Sequence, residues 1–315
     1  MSVSLVLLVL LGGALLIPLI GDDGDDGANE IKGGPENDEL NGTPGPDLIR
    51  AFLGDDVING NGGEDDLRGG DGEDTITGGA DRDVIDGGSE NDQLFGLGGN
   101  DTIEGDAGDD FIDAGEGNDI VRGGNGNDTI VGNLGTDTLR GEGGDDDIFL
   151  WGDEGRAYGG QENDELVMVT GRGVLDGVAG ENTFYALAND DDAQQTVAII
   201  QELDFGDEIV MTIDTDDGSV VDKDLIVTVT EGSINGIDGY NIEVGFADPG
   251  DEPDNFETSR AFVYGTSRDI DDVVASIKVD VTVDAELSVA GAQETFAAVK
   301  AGATAPAQVS PTPVV

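Results

Sequence analysis

Gly69–Thr77 reads GGDGEDTIT and Gly123–Val131 reads GGNGNDTIV, two copies of one nine-residue phrase. From Gly24 to Val167 the phrase recurs sixteen times without a change of register. Its sixth place holds Asp38, Asp47, Asp56, Asp65, Asp74, Asp83, Asp92, Asp101, Asp110, Asp119, Asp128, Asp137, Asp146 and, after one gap, Asp164. Its eighth place holds an aliphatic residue, from Ile31 and Leu40 to Ile148 and Leu166. A fixed period over so long a run marks an array of stacked units, and this outranks any local reading of helix or strand.

Each place has a physical task. The glycines at places one, two and four let the chain bend sharply and point carbonyls inward. The last three places form a short strand whose middle residue faces in and whose flanking residues face out. Two repeats then make one flattened coil, with a turn on each side and a strand on each face. Sixteen repeats give about eight coils, a rod of roughly 40 Å at ~4.8 Å per stacked strand. Carboxylates and carbonyls, with no His, Cys or thioether among them, select a hard, oxygen-loving cation.

The phrase, G-G-x-G-x-D-x-U-x, resembles the nonapeptide repeat of the RTX calcium-binding proteins. That resemblance covers almost half the chain and implies an all-β fold, a parallel β-roll. It also implies calcium between turns of the same side, held by the Asp and by turn carbonyls. Asp56, Asp74, Asp92, Asp110, Asp128 and Asp146 would line one edge, and Asp65, Asp83, Asp101, Asp119 and Asp137 the other. With 6–8 oxygens per ion and two turns per site, this allows on the order of a dozen Ca2+ ions. Folding and calcium binding would be one event, and bound calcium would depress the pKa values of its Asp ligands.

Some copies depart from the phrase. Asn29 replaces the first Asp, and Ala51, Phe52 and Leu53 replace the glycines of one turn. Leu150–Tyr158 (LWGDEGRAY) has Gly155 where the acid should be. Asp38, Asp47 and Asp164, next to these departures, are therefore expected to be weaker ligands than the middle of the array. Trp151, in the failed copy, is expected to cover an exposed edge of the roll, since an open strand edge invites pairing with another molecule.

The rest of the composition agrees. The chain of 315 residues has a formal net charge of −57, no His and no Cys. Scattered acids would read as a solvated or disordered chain, but these acids are periodic, and cation binding accounts for them. Nucleic acid is excluded as a partner because its phosphates would be repelled. Ser2–Ile20 carries no charged side chain and is long enough to approach a membrane span. Residues 1–23 read first as an uncleaved anchor with an acidic linker; a cleaved export signal and a buried element are the alternatives. RTX proteins usually leave the cell through an uncleaved C-terminal signal, so this segment departs from the family.

After Val167 the glycine period stops. Val197–Leu203, Glu208–Ile213, Leu225–Thr230, Tyr240–Phe246, Ala261–Tyr264 and Ile277–Val283 read as strands. Residues 168–300 are expected to form a second all-β domain, a sandwich or an extension of the roll, and residues 301–315 a disordered tail. Ile200–Val210 (IQELDFGDEIV) resembles a segment that often follows RTX repeats.

The absence of His removes the zinc-protease HExxH site and every Ser-His-Asp or Cys-His mechanism. No phosphate-binding loop is present, because the glycine-rich turns lead into strands. No catalytic residue is assigned and the chain is not expected to be an enzyme. The expected function is extracellular calcium binding on a secreted or cell-surface protein, with a structural role. Two alternatives stay open: an adhesin that binds a surface or glycan through the C-terminal region, and a carboxylate-dependent polysaccharide-active enzyme.

Overall fold

A computed structural model describes residues 28–186, 197–201, 203–204, 206–215, 224–234, 237–247, 258–264 and 277–283. The N-terminal apolar segment and the C-terminal tail lie outside the described residues. So do the loops around 190–192 and 248–254.

Among the described residues every regular element is a strand, and as far as Glu208–Thr215 the strands alternate between two sheets. The first sheet opens with Asn29–Lys32, Asp47–Leu53 and Asp66–Asp71; the second opens with Glu39–Asn41, Val57–Asn59 and Thr75–Gly79. Through the repeats the pairing is parallel and in register: Ile58 faces Ile76, and Val121 faces Leu139. Each copy thus stacks on the copy two places further along, and two copies close one coil, as the period requires.

Place eight builds the core. From Ile49 to Leu166 every side chain at that place is fully buried between the sheets. Full burial of a Leu or Ile contributes about 1.5–3 kcal/mol, so a polar residue in this column would cost at least as much. Place two bends most of the turns. Gly124 takes a φ of 123°, and a Cβ there would lie 2.1 Å from the carbonyl oxygen of Asp106. Phe52 and Val178 hold the same place at φ 85° and 69°. A left-handed backbone costs such residues roughly 1–2 kcal/mol each.

The outward places differ between the sheets. On the first sheet, place nine carries Lys32, Arg50, Arg68, Asp86, Glu104, Arg122 and Arg140. Arg50 pairs with Glu30 at 3.2 Å, and Arg68 pairs with Asp66 at 2.8 Å. Arg140 lies 5.1 Å from the ring centroid of Tyr158. On the second sheet, place nine turns apolar with Val131, Phe149, Val167 and Tyr185.

The sheets do not stop at Val167. Arg172–Val178 continues the first and Thr183–Ala186 the second, both parallel to the array. Val197–Gln201 and Glu208–Thr215 follow, and Thr183 pairs with Glu208 across an offset of 25 rather than 18 residues. All six expected strands are present. The described strands of this region continue the two sheets, and one buried core runs from Ile31 to Ile277. The end of the period at Val167 marks a change of turn chemistry, not a break in the sheets. Only beyond Thr258–Tyr264 does the pattern change, where Ile237–Ala247 and Asp224–Ile234 add antiparallel.

Trp151 does not cap an edge, because both sheets pass beyond it. Its ring is buried on the outer side of the second sheet, 6.4 Å from that of Phe149.

Candidate metal centre

The turn acids fall into two rows, one on each edge of the roll, because same-edge neighbours are eighteen residues apart. One row runs Asp38, Asp56, Asp74, Asp92, Asp110, Asp128, Asp146 and Asp164; the other runs Asp47, Asp65, Asp83, Asp101, Asp119 and Asp137. Within a row, the backbone N–H of each Asp donates to Oδ1 of the next. Asp74 reaches Asp92 at 2.7 Å, Asp83 reaches Asp101 at 2.8 Å, and Asp128 reaches Asp146 at 2.8 Å.

The other carboxylate oxygen has no such bond. Oδ2 is buried and accepts no hydrogen bond in Asp56, Asp65, Asp74, Asp83, Asp92, Asp101, Asp110, Asp119, Asp128, Asp137, Asp146 and Asp164. A buried, unsatisfied oxygen costs about 1–3 kcal/mol, and more when charged. Twelve of them in ordered rows are not tolerable as packing defects.

In every copy but those of Asp56 and Asp119, where Ala51 and Ala114 stand at place one, the oxygen sits where the glycine at place one has no side chain. A Cβ on Gly105 would lie 2.3 Å from Asp110 Oδ2 and 2.6 Å from the carbonyl oxygen of Gly123 in the next coil. On the opposite edge, a Cβ on Gly60 would lie 2.5 Å from Asp65 Oδ2 and 2.8 Å from the Gly78 carbonyl oxygen. Two oxygens from adjacent coils therefore converge on one small space. Among the described residues no three acidic side chains meet at a point, so further ligands would be neutral oxygens, main-chain carbonyls or water. That donor set suits a hard divalent cation and suits no soft one.

Charge leads to the same demand. Burial pushes Asp92 and Asp128 up to about 8, and Asp65, Asp137, Asp146 and Asp164 up to about 7. Asp74, Asp83, Asp101 and Asp119 rise to about 6 for the same reason, and Asp56 and Asp110 also rise. In every case the row's backbone N–H opposes the rise without cancelling it. The depressed values expected of calcium ligands would need the ion's own charge; the chain alone drives its acids the other way.

The row ends depart from this pattern in instructive ways. Asp38 Oδ2 accepts the N–H of Gly34 at 2.7 Å and Asp47 Oδ2 that of Thr43 at 2.6 Å, so their own turns satisfy both. Asp164 is a full member of its row, since its same-edge neighbour is Asp146 and not the failed copy. Beyond it, Asn182 Oδ1 accepts the N–H of Asp164 at 2.9 Å, and Asp207 Oδ1 accepts that of Asn182 at 2.8 Å. Asn182 and Asp207 continue the ladder past the last regular repeat. The signal for them was present, because Leu175 and Phe184 keep the eighth place apolar.

The failed copy is a reciprocal exchange. Regular copies have glycine at place one and a carboxylate at place six; here Leu150 stands at place one and Gly155 at place six. A Cβ on Gly155 would lie 2.8 Å from Leu150 Cδ1. The following copy on that edge repeats the exchange with Met168 and Gly173, where a Cβ would lie 2.9 Å from the Met168 sulfur. Buried apolar side chains replace the carboxylate, and the row on this edge ends at Asp137.

Place five carries a second, exposed ladder. Asn91 Oδ1 accepts from Asp109 N–H at 2.8 Å, and Asp109 Oδ1 from Asn127 N–H at 2.8 Å. These acids are hydrogen-bonded and solvated, and they do not require a cation.

No curated protein matches the chain. A family model for the RTX calcium-binding nonapeptide repeat (4 copies) matches at residues 32–67, 59–94, 86–121, 95–130, 122–157 and 131–166. That span holds all the orphaned carboxylate oxygens of the two Asp rows. Residues 32–166 of this chain are an array of RTX calcium-binding repeats folded as a parallel β-roll.

Proposed function

We propose that the protein is an extracellular structural element whose roll becomes rigid when calcium fills the two turn rows. The observation that carries this reading is the set of twelve buried Oδ2 atoms, each without a hydrogen-bond donor. Asp56, Asp74, Asp92, Asp110, Asp128, Asp146 and Asp164 would hold ions along one edge, and Asp65, Asp83, Asp101, Asp119 and Asp137 along the other. The place-one carbonyl of the next coil would complete each site. Bound calcium would supply the positive charge that the rows lack, and on the order of a dozen ions would be taken up.

The dependence on calcium supports an extracellular location. Extracellular modules bind calcium at about 10⁻⁴–10⁻³ M, so a roll of this kind would be loose in a calcium-poor cell and rigid outside it. Circular dichroism of the full chain in chelator and in millimolar calcium tests the coupling. β-Structure should appear cooperatively with calcium and poorly with magnesium, which keeps its water and demands tighter octahedral geometry. Identical spectra with and without calcium would sink the proposal.

A further inference from the structure

The outer face of the first sheet carries three columns of residues, at places seven, nine and two, with the buried residues alternating between them. The face is open: Phe52, Val84, Ile120 and Val178 are between 42 % and 57 % exposed. On consecutive strands place nine reads Arg68, Asp86, Glu104, Arg122, Arg140 and Tyr158. That order is antisymmetric about a centre midway between Glu104 and Arg122. At equal distances from the centre stand Glu104 and Arg122, then Asp86 and Arg140, then Arg68 and the ring of Tyr158, which a guanidinium can cover.

The other two columns share this centre. At place seven Asp66 answers Arg156, Thr102 answers Ile120, Val84 answers Thr138 and Leu48 answers Val174. At place two the acids Asp106 and Glu142 answer Gly124 and Gly88, and exposed Phe52 answers exposed Val178. No column sets like charges against each other. Moving the centre by half a strand spacing destroys the match, because Glu104 or Arg122 would then face itself. Asp176 is buried, so the charge pairs end at Arg68, and apolar pairs carry the two ends.

We propose that two copies of this chain pair through these faces, related by a two-fold axis that runs parallel to the strands at that centre. Such an axis lays each column on the same column of the partner and sets the two rolls antiparallel, a self-complementary contact. Eight strands at ~4.8 Å and five residues at ~3.3 Å cover roughly 600 Å² on each copy. The total of about 1,200 Å² clears the ~1,000 Å² that a specific interface needs. Pairs within the chain leave capacity for this. Arg122 bonds Glu104 and reaches Glu142 at 3.6 Å, but a guanidinium has several donors. Among the described residues neither Asp86 nor Arg156 has an ion pair of its own. The net charge of −57 opposes association, and calcium in the turn rows would reduce it. The pairing therefore rests on the calcium-coupled folding proposed above.

Asp86 and Arg140 lie three strands apart in one copy, about 14 Å at ~4.8 Å each, so direct coupling between them arises only across copies. Sedimentation of the full chain in millimolar calcium should give twice the monomer mass. Asp86→Arg and Arg140→Glu should each weaken the dimer about tenfold or more, since each sets two like-charged pairs face to face. An equimolar mixture of the two variants should recover the dimer, and so should the double variant, because both restore unlike pairs. A chain that stays monomeric in calcium would overturn the proposal. So would a dimer indifferent to both single changes, or a mixture that fails to recover. Circular dichroism on the same samples shows whether the roll has folded, so a failure of calcium-coupled folding is read separately from a failure to pair.

Discussion

The backbone N–H of Asp146 donates to Oδ1 of Asp164 across 3.1 Å. That bond makes the two acids neighbours, although in sequence the repeat next to Asp164 is the one that lost its acid. Asp137 holds the opposite position: regular repeats precede it in sequence, yet its next neighbour on the same edge is Gly155. A Cβ on Gly132, in the copy of Asp137, would meet Leu139 Cδ1 at 3.1 Å where most other copies with glycine there meet a carbonyl.

Substitutions should follow the edge and not the sequence. Asp101→Ala and Asp164→Ala should each raise the calcium midpoint of folding, and Asp137→Ala should raise it less. Calcium titrations followed by circular dichroism decide the order. An Asp164→Ala effect smaller than that of Asp137→Ala would mean that the sequence neighbour matters more than the stacked one.

Ala114 puts a methyl group beside Asp119 where most copies have glycine, in the space where two oxygens converge. Ala114→Gly should therefore lower the calcium midpoint, even though an added glycine loosens the unfolded chain by roughly 0.4–1 kcal/mol. In the opposite sense, Gly105→Ala should raise the midpoint. No change in either variant would show that this space is not the ion's.

The exchange at the failed copy should be reversible. Gly155→Asp alone brings the new side chain against Leu150 and should destabilise the roll. Leu150→Gly together with Gly155→Asp restores both halves of the regular copy and should add one bound calcium. Native mass spectrometry counts the ions, and an unchanged count in the double variant would rule out the exchange.

Protons and calcium should compete for the rows. Without calcium, the raised acids bind more protons in the folded roll than in the unfolded chain, where Asp titrates near ~3.9. Their contribution to stability is then fully present below ~3.9 and is lost as pH rises through the folded values of about 6 to 8. Because binding is coupled to folding, the protons released are those of the unfolded chain, so calcium uptake near pH ~4 should release protons and uptake at pH 9 should release few. Titration at constant pH with base addition measures this; a release that does not vary with pH would mean that the buried acids are not the ligands.

Much of this was legible in the sequence because the period couples turn, strand and ligand in nine residues. Place six marks the acids and place eight the core, and no long-range knowledge is needed to pair them. What stayed hidden were effects of the eighteen-residue stride. Asp164 read as marginal because Leu150–Tyr158 adjoins it in sequence, and Trp151 read as an end cap because its copy had lost the motif. Asn182 and Asp207 were missed since glycine, the most visible part of the phrase, fades before the stacking does. The reach of the sheets past Met168 depended on Leu175, Phe184 and Ile209 holding the inner column without it.

The alternation of sheets sets a rule for how such a chain can change length. Gaining or losing eighteen residues adds or removes one whole coil, and every later residue keeps its sheet, its edge and its outward neighbours. A change of nine residues sends all later strands to the opposite sheet. The arginine-bearing face would then continue into Phe149 and Tyr185, and the row of Asp164 would run into that of Asp137. The smallest heritable unit of this molecule is therefore the pair of repeats, although the smallest visible one is the single repeat.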